Sequence, residues 1–187
     1  MVKLNKIYTR TGDGGSAGLV DGSRVSKSSL RMAAIGEVDE ANAAIGVAIA
    51  ALEDNAIQLR LLEIQNDLFD LGADVATSGD SKDSLRIVSS QVDRLEVEID
   101  TMNAMLEPLT SFILPGGSPG VAALHLARAI TRRAERAAVA LNEAERLNPQ
   151  LLAYLNRLSD HLFVAARLVA ASEGGDVLWT PGKTRGA

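Results

Sequence analysis

In the segment ARAITRRAER, Arg128, Arg132 and Arg136 recur at four-residue steps. On a helix that spacing lays three guanidinium groups along one strip about 12 Å long. Like charges in a row repel, and they are stable only on a solvated face, against acidic neighbours or around an anion. The segment is otherwise alanine-rich, with Val121, Leu124 and Leu126 flanking the strip. The arginines are therefore expected to point inward, at acidic partners or at an anion, and a polyphosphate fits the length.

A second set of candidate groups lies near the start of the chain. TRTGDGGSAG offers backbone N–H groups and small hydroxyls, the materials of a phosphate cradle, with Lys6, Arg10 and Lys27 nearby. A plain flexible loop is the competing reading. The stretch is not a P-loop, because G-x-x-x-x-G-K-[ST] is absent, and its G-x-G-x-x-A match has no preceding strand or βαβ unit.

YLNRLSDHLF places Asn156 and Asp160 one turn apart with Ser159 beside them. Such polar groups on an apolar helix either serve a site or form a buried hydrogen-bond network. Asp39 in GEVDEANAA shares that ambiguity and is a natural partner for an inward arginine. His125 and His161 are the only histidines, neither follows an Asp/Glu-x-x, and there is no cysteine. Metal ligation by histidine is therefore not expected, a ferritin-like di-iron centre is excluded, and packing or surface roles remain. In SFILPGGSPG the run Phe112-Ile113-Leu114 is more apolar than an exposed connection should be. It plugs the end of the fold or meets a ligand, and chemistry alone favours the plug.

Helices must position these groups. Aromatic residues make up 3% of the chain and hydrophobic residues 47%, so runs that read as strands are scarce while strong helix formers are common. Apolar periodicity predicts a first helix from about Ser29 to Leu52 through Leu30, Ala33, Ala34, Val38, Ala41, Ile45 and Ile49. A second, from about Ile57 to Val75, uses Leu59, Leu62, Leu68, Leu71 and Val75 and precedes a polar TSGDSKDS loop. The third, from about Ser90 to Glu107, uses Val92, Leu95, Ile99 and Met102 and is closed by Pro108. Ser118-Pro119 and Asn148-Pro149 each set a capping side chain before a proline, opening helices that run to about Glu145 and Ser172. The expected fold is all-α, an up-and-down five-helix bundle in one domain. Residues 1–27 form an N-terminal arm and loop, 28–172 the bundle, and 173–187 a tail.

A chain of 187 residues suffices for one sizeable core. The formal charge of −5 argues against general nucleic-acid binding, so any basic site must be concentrated. The lack of cysteine removes disulfides, thiolate metal sites and thiol nucleophiles and suits a reducing compartment. No stretch resembles a signal peptide or a membrane span, so a soluble cytoplasmic protein is expected.

Taken in order, YTRTGDGGS, VDEANAAIG, FILPGG, RRAER and YLNRLSDHLF resemble the propanediol-utilisation (PduO) type of ATP:cob(I)alamin adenosyltransferase, from about Lys6 to Arg167. The resemblance implies a homotrimer with ATP between adjacent subunits and the corrinoid beside it. Thr9, Arg10, Thr11 and Gly12 would wrap ATP, with Ser16 serving in the same loop. Lys27 would approach the polyphosphate, and Arg132, Arg133, Glu135, Arg136 and Asn156 would complete the site. Mg²⁺ would accompany the triphosphate. Asp39 and Arg128 would form an intersubunit ion pair, Asp160 would support the site, and Phe112 would face the corrin. Two departures stand out: Ala17 replaces a common hydroxyl residue, removing one possible phosphate contact, and Ala41 replaces a common leucine.

The implied reaction moves the 5′-deoxyadenosyl group of ATP to the cobalt of cobalamin, the substrate, and releases triphosphate. A cob(II)alamin reductase and an adenosylcobalamin-dependent acceptor enzyme are the implied partners. Two other readings are a delivery protein for adenosylcobalamin and an ATP-dependent phosphotransferase.

Overall fold

The computed structural model describes residues 7–79 and 84–185. Five helices follow one another: α1 Leu30–Ala51, α2 Asn55–Val75, α3 Ser89–Asn103, α4 Pro119–Ala144 and α5 Pro149–Ser172. Their starts obey the capping chemistry. Ser29 accepts a hydrogen bond from the Met32 amide, Ser118 from Val121 and Asn148 from Gln150, the last two ahead of a proline at the first helical position. Between α1 and α2, Asp54 caps the second helix. There the Gln58 amide donates to the carbonyls of Ile49 (3.1 Å) and Leu52 (2.8 Å), satisfying the end of the first.

The core follows from the apolar faces. α1 packs on α4, α4 on α5, α5 on α3, and α2 on α1. Fully buried Ala34, Ala41 and Ala48 face an α4 that buries Ala127, Ala134 and Ala138, small residues that let the two helices approach closely. Gly120 serves the same purpose: a Cβ there would lie 2.9 Å from Leu52 Cδ2 and 3.1 Å from the Ala51 carbonyl oxygen.

Five expectations need correction. On α1, Leu30 and Ala33 are exposed, and the buried face runs through Ala34, Val38, Ala41, Ile45 and Ala48. The α2 stripe is Ile57, Leu61, Ile64, Leu68, Leu71 and Val75, alternating steps of four and three, while Leu59 and Leu62 are exposed. α3 ends at Asn103, ahead of Pro108, because Met102 is its last fully buried residue and the chain unwinds so that the Glu107 carbonyl can accept from Arg167 Nη2 at 2.8 Å. The N-terminal segment is not all loop. Ser16–Gly18 (β1) and Arg24–Ser26 (β2) pair antiparallel with Ser16 opposite Ser26 and Gly18 opposite Arg24. The C-terminal segment also packs: Ile113 bridges Leu178, Leu114 N donates to the Val177 carbonyl (2.8 Å) and Trp179 N to the Phe112 carbonyl (2.7 Å). Residues 80–83 of the TSGDSKDS loop lie outside the described part of the chain.

Two buried polar centres lock the bundle. Asp74, 1% exposed, accepts from Arg86 (2.6 Å), the Ile87 amide (2.9 Å) and Asn148 (2.8 Å), and so ties the end of α2 to the starts of α3 and α5. At the second centre, Asp67 accepts from the Tyr154 hydroxyl (2.7 Å), Gln91 (2.9 Å) and Arg94. Burial and the Asp67 carboxylate push the Tyr154 hydroxyl far above its ordinary pKa, so it remains a donor. Arg94 also reaches Glu98, which meets His161 Nε2 at 2.7 Å.

Candidate active site

α4 carries its buried face through Val121, Leu124, Ala127, Ala134, Ala138 and Leu141. The arginine strip runs beside that face rather than on it. Arg132 and Arg136 are exposed and Arg128 is half-buried, so the inward orientation expected from the alanine content is wrong. Leu126 is exposed as well. The helix turns its smallest residues toward α1 and leaves the strip at the margin. The arginine that does meet acidic partners is Arg133, between Glu37 (2.5 Å) and Glu40 of α1. Those two carboxylates hold its guanidinium pKa above the ordinary value.

Arg128 belongs to both the strip and a cavity. Leu109, Phe112, Ile113, His125, Phe163 and Trp179 line a space of about 650 Å³ at the junction of α4, α5 and the α3–α4 connection, with Arg128 on its wall. Phe112 is 77% exposed, which overturns the plug. Its ring lies 6.0 Å from that of Trp179, tilted by 59°, and the backbone bridge to the C-terminal segment fixes it there. His125 is 3% exposed, and neither of its ring nitrogens has a hydrogen-bond partner among the described residues. Burial, then the Arg128 charge, pushes its pKa down, so the imidazole is neutral at physiological pH. Arg128 Nε is likewise buried without a partner, and burial followed by Arg132 lowers its pKa. Buried polar atoms of this kind call for a ligand or a neighbouring chain.

One turn along the neighbouring helix, Asn156 Nδ2 donates to Glu135 (2.9 Å). Arg157 then links Asn156 (3.2 Å), Asp160 (3.3 Å) and Glu96 (2.9 Å). Glu135, Asn156 and Asp160 are thus brought together. Arg157, which organises them, was not singled out from the sequence; its place between two polar residues of YLNRLSDHLF was the available signal. Ser159 bonds only back to the Asn156 carbonyl (2.9 Å). His161 is fully buried against Glu98, so both histidines pack inside the bundle.

The N-terminal loop is a built structure. Arg10 takes φ 61°, a left-handed conformation uncommon outside glycine, and its guanidinium lies 5.7 Å from the Tyr8 ring centre. Thr9 and Thr11 share a hydroxyl hydrogen bond of 2.8 Å. Gly12 packs so closely against the Lys27 ammonium that a Cβ there would lie 3.2 Å from Nζ. Lys6 lies outside the described residues.

No hydrogen bond or ion pair among the described residues joins this loop to the α4 arginines, or Asp39 to Arg128. Asp39 is exposed on α1, at a shallow recess beside Phe69. The candidate groups therefore stand in one chain as three parts: the loop, the strip with its cavity, and Asp39.

A family model described as cobalamin adenosyltransferase matches residues 7–169. The corrinoid adenosyltransferase of Mycobacterium tuberculosis (strain H37Rv) is 51% identical over 192 residues, covering 100% of this chain and 98% of that protein. Two solved structures of variant PduO-type ATP:corrinoid adenosyltransferases from Lactobacillus reuteri superpose closely. One, complexed with cobalamin and ATP, gives a TM-score of 0.89 at 39% identity, covering 94% of this chain and 97% of that one. The other, complexed with ATP, gives 0.87 at 38%, covering 93% and 100%. The cavity, the arginine strip and the threonine–glycine loop thus sit on a chain that belongs to the cobalamin adenosyltransferase family.

Proposed function

We propose that this chain transfers the 5′-deoxyadenosyl group of ATP to the cobalt of cob(I)alamin and releases triphosphate. The observation that carries this reading is the position of Arg128, at once on the wall of a 650 Å³ aromatic-lined cavity and at the head of an exposed cationic strip. That arrangement suits a substrate with a broad macrocyclic face held beside a polyanion. Cobalamin and ATP are bound together in a PduO-type relative of 0.89 TM-score.

The chemistry asks little of side-chain bases. The cobalt lone pair forms the bond to C5′, the C5′–oxygen bond breaks, and its electron pair leaves on the triphosphate. The protein's task is alignment and stabilisation of the charge on that leaving group. Arg132 and Arg136, with Lys27 and the amides of Thr9–Gly12, suit it. Phe112 stands at the cavity with its ring exposed; there it would exclude the lower dimethylbenzimidazole ligand from cobalt and so ease reduction to Co(I). Mg²⁺ would ride on the nucleotide, neutralising charge on the triphosphate.

We read the assembly as a homotrimer with sites between subunits; three observations suit a site completed by a neighbouring chain: among the described residues the loop and the strip are unconnected, Asp39 is exposed, and Arg128 Nε and the His125 ring nitrogens have no hydrogen-bond partner. Glu135, Asn156, Asp160 and Arg133 then form the frame behind the nucleotide. A cob(II)alamin reductase and an adenosylcobalamin-dependent enzyme would flank the reaction. Among the described residues no helix is long and apolar enough to cross a membrane, and we place the enzyme in the cytoplasm as one domain over 1–187. The test is product analysis with ATP and reduced cobalamin. Inorganic triphosphate appearing in step with adenosylcobalamin supports the reading; ADP would make the protein a phosphotransferase.

A further inference from the structure

The loop from Thr9 to Ser16 is held by a residue outside it. Arg24 stands opposite Gly18 in the hairpin, and because Gly18 has no side chain the guanidinium can lie back along the β1 strand. Its Nη2 donates to the Thr11 carbonyl (2.7 Å), the Ser16 carbonyl (3.0 Å) and Ser16 Oγ (2.8 Å), and its Nε to Ser16 Oγ (3.1 Å). Three acceptors on two residues converge on one planar fork, an arrangement that a lysine ammonium on its flexible stem does not reproduce.

The consequence follows from peptide geometry. Thr11 C=O and Gly12 N–H share one planar trans unit and point in opposite directions. Holding that carbonyl on Arg24 therefore aims the Gly12 N–H away from the Arg24 guanidinium, and Gly12 is the residue that packs against the Lys27 ammonium. A second tie, from Lys27 N to the Gly15 carbonyl (2.9 Å), anchors the strand carrying the lysine to the same loop. Ser16 Oγ, accepting two N–H groups, keeps its own proton to donate outward. All these contacts lie outside the helical core.

We propose that Arg24 is a positioning residue for the nucleotide: it orders the loop before ATP arrives, so that the ordering entropy is not charged against binding. The inference rests on the reading of the loop as the ATP loop. It predicts a KM effect, because the loop must be ordered equally in the bound ground state and in the transition state.

The experiment compares Arg24→Ala and Arg24→Lys with the parent in two arms. Hydrogen–deuterium exchange without ligand reads residues 9–16: both variants should exchange faster there while α1–α5 keep the parent's protection. Steady-state kinetics with ATP varied should show KM raised about tenfold in both, with kcat within about twofold. Unchanged exchange at 9–16 in Arg24→Ala would overturn the inference, whatever the activity. Restoration of KM by Arg24→Lys would also overturn it, by showing that charge rather than the fork is what counts. A parent that binds no ATP would overturn the reading of the site instead, a result distinct from the exchange arm, which needs no nucleotide.

Discussion

At the residue scale, Phe112 and Arg132 carry the account. Phe112 is 77% exposed and touches Trp179 rather than the bundle interior, so Phe112→Ala is expected to leave thermal unfolding nearly unchanged instead of costing the roughly 3–5 kcal/mol of a buried phenylalanine. Activity starting from Co(II) with a reductase should collapse, while activity with chemically reduced Co(I) should fall much less. The ratio of those two rates in variant and parent is the measurement, and an unchanged ratio would remove Phe112 from the corrin. Arg132→Ala should cut turnover more than tenfold, since a charge-assisted contact to triphosphate is worth about 1.5–3 kcal/mol; kinetics at saturating and limiting ATP read it. Both residues were singled out by motif, although chemistry alone made Phe112 a plug. The orientation of the strip was not legible, because alanine is compatible with both a buried face and its margin, and only the pairing of α4 with α1 decides between them. Arg24 was missed because an arginine in a short glycine-flanked stretch carries no periodic signal; its role appears only when the hairpin forms.

At the element scale, the starts of α4 and α5 were readable because Ser118-Pro119 and Asn148-Pro149 are local chemistry. The end of α3 was not, because Pro108 was the signal used while the helix already gives way to tight turns, Met105 N to the Met102 carbonyl and Leu106 N to the Asn103 carbonyl. The packing of the C-terminal segment escaped because its bridge to Ile113 is long-range, and the two short strands because three residues are too few to show alternation. What joins α2, α3 and α5 is the buried chain from Tyr154 through Asp67 and Arg94 to Glu98 and His161. Burial raises the Glu98 pKa, but the hydrogen bond and charge of His161 and the charge of Arg94 outweigh it and hold the carboxyl below its usual 4.5. A carboxyl that binds its proton less readily folded than unfolded contributes stability above that usual value and loses it as pH falls through the folded pKa. Glu98→Gln should therefore lower stability at neutral pH and flatten the acid limb of the stability–pH curve as pH falls below the usual 4.5. Chemical denaturation across that range checks it, and parallel curves for variant and parent would deny Glu98 the role.

At the scale of the whole molecule, one chain holds the parts of a site without joining them. Asp39 and Arg128 are expected to meet across subunits, so Asp39→Asn should leave a half-buried arginine uncompensated and weaken assembly or corrinoid binding; sedimentation and corrinoid titration both unchanged would sink the pairing. The central claim is that these parts together make the cobalt–carbon bond of adenosylcobalamin. Its most direct test is to mix the protein anaerobically with Mg-ATP and chemically reduced cobalamin and follow the absorption spectrum. The account predicts loss of the Co(I) spectrum and growth of light-sensitive adenosylcobalamin, dependent on both ATP and protein. A Co(I) spectrum that persists with ATP and protein present would contradict it.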